Sequence, residues 1–300
     1  MAVDNPAAGL TRRRFLHLVG AGSLGVALGS TEGKAHAAEG SGYGTLIDIS
    51  RCIGCRSCEA ACKAARNFPP GESADLGPTA WTYVRVQQLR TPVPHATMGD
   101  GMAAQRAVKV QCMHCLEPAC VSACPVGALR RSPEGPVVYD EWRCLGCRYC
   151  QIACPFQIPR YEWAERLPAV TKCSFCAERL ARGEGPACVT ACPVEALKFG
   201  RRPELLAEAS RRITEAPNRY VPDIYGRDEV GGTSMVYLSD VPFKDLGFPA
   251  VVRESLPAFT WRALGKIPVL IVGLGATLTI LEVVIRKRNE RLEHTEGGGE

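Results

Sequence analysis

The feature that most constrains this chain is its cysteine: sixteen in 300 residues, arranged as four sets of four with none left over. The sets are Cys52, Cys55, Cys58 and Cys62; Cys112, Cys115, Cys120 and Cys124; Cys144, Cys147, Cys150 and Cys154; and Cys173, Cys176, Cys188 and Cys192. The first and third share the spacing C-x2-C-x2-C-x3-C, and the second and fourth keep the same outer pairs around longer middle gaps. This is too much thiol for incidental core cysteine and too dilute for a disulfide miniprotein. Repeated C-x2-C pairs are a poor geometry for a disulfide framework. Structural zinc sites bring two C-x2-C halves together across a longer spacer, without the close run of four thiols and a following proline.

The run C-x2-C-x2-C-x3-C-P is the bacterial-ferredoxin signature of a [4Fe–4S] cluster. The third set has it complete, ending Cys154-Pro155, and the second and fourth end Cys124-Pro125 and Cys192-Pro193. The first departs, with Lys63 after Cys62. Three thiolates two residues apart need a tight loop, and Gly54 and Gly146 stand inside two of the loops, where a missing Cβ lets the backbone approach the cluster. The fourth cysteine of each set opens a segment leading away and serves the other cluster of a two-cluster unit. The sets also repeat: 51–62 matches 143–154 at eight of twelve positions, and 119–129 matches 187–197 at nine of eleven. The order A, B, A, B predicts an α+β fold of duplicated bacterial-ferredoxin-like modules with insertions, holding four [4Fe–4S] clusters. Spacing leaves open which sets share a module.

Both ends read as targeting features. Arg12-Arg13-Arg14-Phe15-Leu16 precedes a Gly-rich apolar stretch too short to span a bilayer, and Ala35-His36-Ala37 offers small residues for cleavage. Residues 1–37 are therefore expected to be a twin-arginine export signal, a route that moves folded protein. Ile267 to Ile285 is an apolar run of 19 residues closed by Arg286-Lys287-Arg288. It predicts one transmembrane helix within 261–288, with a polar tail over 289–300 on the cytoplasmic side and the cluster domain on the periplasmic face of the inner membrane.

Between the sets, 81–86, 107–110, 136–139 and 234–238 alternate as strands, and Pro203 to Ile213 patterns as an amphipathic helix. Pro69-Pro70-Gly71 and Thr91 to Gly101 read as loops. The cluster domain is expected over 38–200, and 201–260 reads as an extension or linker to the membrane helix. No C-x2-C-H haem motif, dinucleotide-binding fingerprint or Walker loop occurs, and no nucleophile–base set or carboxylate pair stands out. The expected role is a wire, with no catalytic centre of its own. His114 lies inside the second set and is most simply read as packing, while Arg56 and Arg148 inside the loops either tune potentials or offset local charge. The net charge of +5 does not point to nucleic acid. The leader holds four basic and two acidic residues, and four oxidised clusters at about −2 each bring the mature protein to about −5.

The chain resembles the four-cluster ferredoxin-type iron–sulfur subunits of respiratory oxidoreductases. The likeness is carried by Gln111-Cys-Met-His-Cys115, Cys144-Leu-Gly-Cys-Arg-Tyr-Cys150, Lys63, Tyr225-Gly226, Gly231-Gly232-Thr233 and Val241-Pro242. It is nearest to the subunits serving hydrogenase-2 type [NiFe] hydrogenases, with the formate dehydrogenase-N beta subunit next. The presence of a twin-arginine signal favours the former. The resemblance implies one cluster on Cys52, Cys55, Cys58 and Cys192, and a second on Cys173, Cys176, Cys188 and Cys62. It implies a third on Cys112, Cys115, Cys120 and Cys154, and a fourth on Cys144, Cys147, Cys150 and Cys124. Residues 112–154 would then form one module, and 45–62 with 173–192 the other. The implied partners are a periplasmic catalytic oxidoreductase subunit, a [NiFe] hydrogenase, and an integral membrane quinone-reactive subunit on which the C-terminal helix docks. The other readings are service to a molybdenum or tungsten enzyme such as formate dehydrogenase and, more remotely, a zinc scaffold without redox function.

Overall fold

A computed structural model describes residues 42–90, 104–163 and 168–296. The expected export signal and the loop from Thr91 to Gly101 lie outside the described residues. The chain divides into a unit ending at Ala258 and a second carried by the segment from Phe259 onward.

The first unit begins with β1 (Tyr43–Asp48) and α1 (Ser57–Ala64). A hairpin of β2 (Thr82–Gln88) and β3 (Gln105–Gln111) follows. Then come α2 (Ala119–Ser122), β4 (Leu129–Arg131), β5 (Val137–Tyr139), α3 (Tyr149–Ala153), β6 (Arg160–Tyr161) and β7 (Val170–Thr171). The unit continues through α4 (Ala177–Ala181), α5 (Ala187–Thr190), β8 (Leu197–Arg201), α6 (Arg202–Glu215) and β9 (Met235–Leu238).

The central sheet has the order β8-β1-β9. Strand β1 runs antiparallel to β8, from Tyr43 opposite Arg201 to Ile47 opposite Leu197, and parallel to β9, from Thr45 opposite Met235 to Asp48 opposite Leu238. Pairing β1 with β8 sets the strand before the first cysteine set beside the strand after the fourth. In the same way, β4 after the second set pairs antiparallel with β5 before the third. Alternate residues of β1 and β9 serve two cores. Leu46, Val236 and Leu238 pack with Leu205 and Ala209 of α6, and Ile47, Met235 and Tyr237 face the cysteine loops with Met113 and Phe175. Since β1 is buried on both faces, its sequence lacks the polar–apolar alternation of a half-exposed strand.

The expected strands at 81–86, 107–110, 136–139 and 234–238 correspond to β2, β3, β5 and β9, and the amphipathic helix to α6, with Pro203 in its first turn. The stretch following α6 packs into the same unit. It supplies β9 and the buried side chains Ile224, Tyr225, Val230, Val241, Phe243 and Leu246. Tyr225 stands at the centre of an aromatic cluster with Tyr237, Phe243 and Phe248. The turn from Gly226 to Thr233 is held by buried Arg202, which donates to the carbonyls of Thr233 at 2.7 Å, Arg227 at 2.8 Å and Gly226 at 3.3 Å. Arg106 of β3 clamps Asp240 with a buried two-pronged ion pair, the closest approach being 2.6 Å.

Helix α7 (Leu256–Leu264) begins in the last residues of the first unit and is followed in the second segment by α8 (Ile267–Glu296). The stretch Leu256–Arg291 is long and apolar enough to cross a membrane, and its large side chains, Leu270, Ile271 and Leu274 among them, are exposed. Thr277 and Thr279 donate their hydroxyls to the carbonyls of Gly273 and Gly275, which satisfies them within the helix, as lipid requires.

Candidate iron–sulfur centres

In every cysteine set the chain turns sharply at the residue before the second cysteine. Gly54 and Gly146 take φ +69° there, as a left-handed turn favours. In the second and fourth sets the same position is filled by His114 at +48° and Phe175 at +58°. A side chain in that conformation is uncommon and is held by its surroundings. Both rings are buried and stack on each other, with centroids 5.1 Å apart. His114 Nδ1 accepts the Val137 N–H at 2.9 Å, and burial, with Lys172 and Lys109 nearby, holds its pKa well below the usual value. His114 is thus a neutral packing residue that links the second and fourth sets.

The loops bring the thiols together in a specific pattern. Cys52, Cys55, Cys58 and Cys192 line one cavity. Cys62, Cys173, Cys176 and Cys188 line a second. Cys124, Cys144, Cys147 and Cys150 line a third. Cys115 and Cys120 each feel Cys112 and Cys154 as electrostatic neighbours, which gathers the remaining four. All sixteen are free thiols. Among the described residues, no three of His, Cys, Asp or Glu converge closely enough to hold one metal ion. The thiols surround spaces instead of meeting at points, which suits a polynuclear cluster and not a single zinc.

The electrostatics fit the same group. Burial pushes Cys58 up to about 12, with Cys188 adding to it. Burial likewise raises Cys120 to about 12, helped by Cys112, and Cys62 and Cys154 to about 11. Such thiols become ligands only when a cationic centre compensates their charge. Backbone N–H groups are already aimed at several sulfurs: Ala128 to Cys124 at 3.2 Å, Phe175 to Cys173 at 3.3 Å and Gly146 to Cys144 at 3.4 Å. At Cys124 burial acts to raise the pKa, but the N–H groups of Leu129, Val126, Ala128 and Gly127 outweigh it and the pKa falls. The Tyr161 hydroxyl lies 3.2 Å from Cys150 Sγ. The residues therefore fit [4Fe–4S] clusters.

A family model described as a 4Fe-4S dicluster domain matches residues 105–202. Hydrogenase-2 operon protein HybA of Escherichia coli O157:H7 is 33% identical over 332 residues, covering 96% of this chain and 98% of that protein. The nitrate-inducible formate dehydrogenase iron-sulfur subunit of Escherichia coli K12 is 32% identical over 247 residues, covering 77% of this chain and 80% of that protein. The chain belongs to this family of iron–sulfur subunits. A protein of Nitratidesulfovibrio vulgaris is 41% identical over 293 residues, covering 94% of this chain and 79% of that protein.

Two features of this iron–sulfur subunit go beyond its motifs. The arginines inside the loops line thiol cavities and are also paired: Arg56, at the first, pairs with buried Glu59 and with Glu72, and Arg148, at the third, lies over the Trp163 ring at 4.2 Å. Lys63, the departure from the motif, lets α1 run to Ala64, whereas α3 stops before Cys154-Pro155. Its ammonium donates to the Gly71 carbonyl at 2.6 Å and so ties down the loop that follows.

Proposed function

We propose that the chain is the electron-transfer subunit of a membrane-bound respiratory oxidoreductase, carrying electrons through four [4Fe–4S] clusters between a catalytic subunit and a quinone-reactive membrane subunit. The observation that carries this reading is the sorting of the thiols into four groups, each drawing three cysteines from one set and one from another. The ligand groups are those implied by the family likeness: Cys52, Cys55, Cys58 and Cys192; Cys173, Cys176, Cys188 and Cys62; Cys112, Cys115, Cys120 and Cys154; Cys144, Cys147, Cys150 and Cys124. The pairing of β1 with β8, and of β4 with β5, supports two modules, one over 112–154 and one joining 45–62 to 173–192.

Each bound cluster supplies one-electron transfer without making or breaking substrate bonds. The protein's own part is to hold the thiolates, aim N–H groups at their sulfurs and exclude water. Cys55 and Cys147 are exposed, and belong to different modules, which gives the wire two accessible ends. Around Cys147 lie Trp142, Leu145, Tyr149 and Ile152, all exposed, with Trp142 93% so. Solvent-facing apolar groups of that size mark a surface made for a protein partner.

The catalytic partner is a [NiFe] hydrogenase, as the identity to HybA supports, and the reading as a formate dehydrogenase subunit rests on the identity to those subunits. The chain has no catalytic centre of its own. Leu256–Arg291 anchors it in the inner membrane with the cluster domain periplasmic and the C-terminus cytoplasmic. The test is to supply hydrogen or formate anaerobically to membranes containing the chain, and to follow the reduced-cluster EPR signal. Hydrogen should produce it and formate should not; the reverse result would overturn the hydrogenase assignment.

A further inference from the structure

Lys109 lies on β3, is 5% exposed and lines two of the thiol cavities at once, the one around Cys52, Cys55, Cys58 and Cys192 and the one around Cys62, Cys173, Cys176 and Cys188. Its ammonium donates to Thr82 Oγ1 at 2.9 Å and to Gln111 Oε1 at 2.6 Å, both neutral oxygens. Gln111 is itself fixed by donating to the Tyr237 hydroxyl at 3.0 Å, and that hydroxyl donates to the Lys109 carbonyl at 3.0 Å. Burial by itself would drive the lysine towards neutrality, yet Cys188, Cys58 and Cys173 raise its pKa above the ordinary value. In return Lys109 favours the thiolate forms of Cys58, Cys62, Cys52 and Cys173. A buried cation without a carboxylate partner is costly unless other negative charge compensates it. Among the described residues, the groups whose negative charge acts on it are Cys188, Cys58 and Cys173 of the two ligand groups, with the Tyr237 hydroxyl beside them.

We infer that Lys109 is a fixed cation shared by the first two clusters and that it raises the reduction potential of both together. This rests on the four-cluster reading above. When either centre is reduced it gains one electron and becomes one unit more negative. A positive charge at low effective dielectric makes that change more favourable. Lys109 acts as a positioning residue through the field it applies, not through ligation. Its place between the two cavities means that removing it should move two potentials and leave the other two.

The experiment is an EPR-monitored redox titration, with dithionite as reductant and mediators, of the full chain purified with its partners. The variants are Lys109→Met, Lys109→Arg and Gln111→Glu. Lys109→Met should lower the equilibrium constant for reducing two of the four centres at least tenfold, which is 59 mV for a one-electron couple. The other two should shift less than threefold, and Lys109→Arg should restore the potentials. Gln111→Glu keeps the hydrogen bond but sets a carboxylate against the ammonium, so it should lower the same two potentials with Lys109 in place. If Lys109→Met does not retain its iron, Gln111→Glu and Lys109→Arg decide the matter. Unmoved potentials, or equal shifts of all four, would overturn the inference. An unsubstituted chain with iron for fewer than four clusters would instead overturn the reading beneath it.

Discussion

Replacing Gly226 with alanine should destabilise the first unit by about 3–5 kcal/mol, from backbone strain together with lost hydrogen bonds. Gly226 sits at φ +95°, and a Cβ there would meet the Met235 carbonyl oxygen at 2.2 Å and Thr233 Oγ1 at 2.6 Å. The backbone conformation alone costs an alanine about 1–3 kcal/mol. The clash cannot be relieved by a side-chain rotation, because Met235 belongs to β9 in the central sheet. Opening the turn sacrifices the bond from the Thr233 N–H to the Gly226 carbonyl at 2.9 Å, and that from the Gly226 N–H to Glu229 at 2.6 Å. Each is worth about 1 kcal/mol. For a unit of this size the sum corresponds to a fall of about 6–20 °C in the melting midpoint. The assay is thermal unfolding of the cluster-loaded protein at one scan rate, with two control alanines. Gly127 has φ +63° but open space around it, and should cost about 1–2 kcal/mol for the left-handed backbone alone. Gly77 has neither problem and should change stability by less than about 0.5 kcal/mol. A Gly226→Ala protein that melts within 2 °C of the parent, or a Gly77→Ala protein that falls as far as Gly226→Ala is expected to, would show that the turn does not depend on the missing Cβ.

Asp240→Asn breaks the buried pair with Arg106 and should cost about 3–5 kcal/mol, read as a lowered urea midpoint; a midpoint unmoved would show that the pair does not hold the β2–β3 hairpin to the unit. Stripping iron with a chelator should abolish protease resistance of the cluster domain, because the buried thiols lining the cavities need a cationic centre to hold the loops together; a chelated protein with undiminished resistance would contradict this. Ile152→Glu combined with Trp142→Ser should leave the melting midpoint unchanged but reduce co-purification of a partner subunit at least tenfold, and full retention would remove this face from the interface. A reporter fused after Glu300 should be active only in the cytoplasm; periplasmic activity would reverse the assigned orientation.

The four cysteine loops are legible in the sequence because cysteine spacing is a local geometric constraint, while which sets share a module is not, and only the family likeness implies it. The turn before the second thiol is glycine in two sets, which reads directly as φ above zero. In the other two it is His114 and Phe175, whose conformation depends on stacking against each other across 61 residues of chain. Aligning the four C-x2-C pairs exposes the shared position, but not the contact that sustains it. Strand β1 is not legible for a different reason: a central strand buried on both faces carries no period-two pattern. Apart from the strand at 234–238, the segment after Glu215 reads only as an extension or linker because proline, glycine and charge dominate it. Its buried Ile224, Tyr225, Phe243 and Leu246 lie outside the strand and are placed by turns and not by any helix or strand period. Lys109 was hidden by its own strand, where alternation of Val108, Lys109 and Val110 suggests a solvated lysine. Only the fold turns that side of β3 toward two thiol cavities.

Everything proposed for this chain depends on its sixteen cysteines holding four clusters. Iron and acid-labile sulfide assayed together on the anaerobically purified chain test it most directly, with EPR of the same sample after reduction. About sixteen iron and sixteen sulfide per chain are expected, with low-temperature signals that include spin coupling between neighbouring centres. About four zinc per chain, no labile sulfide and no such signal would contradict it.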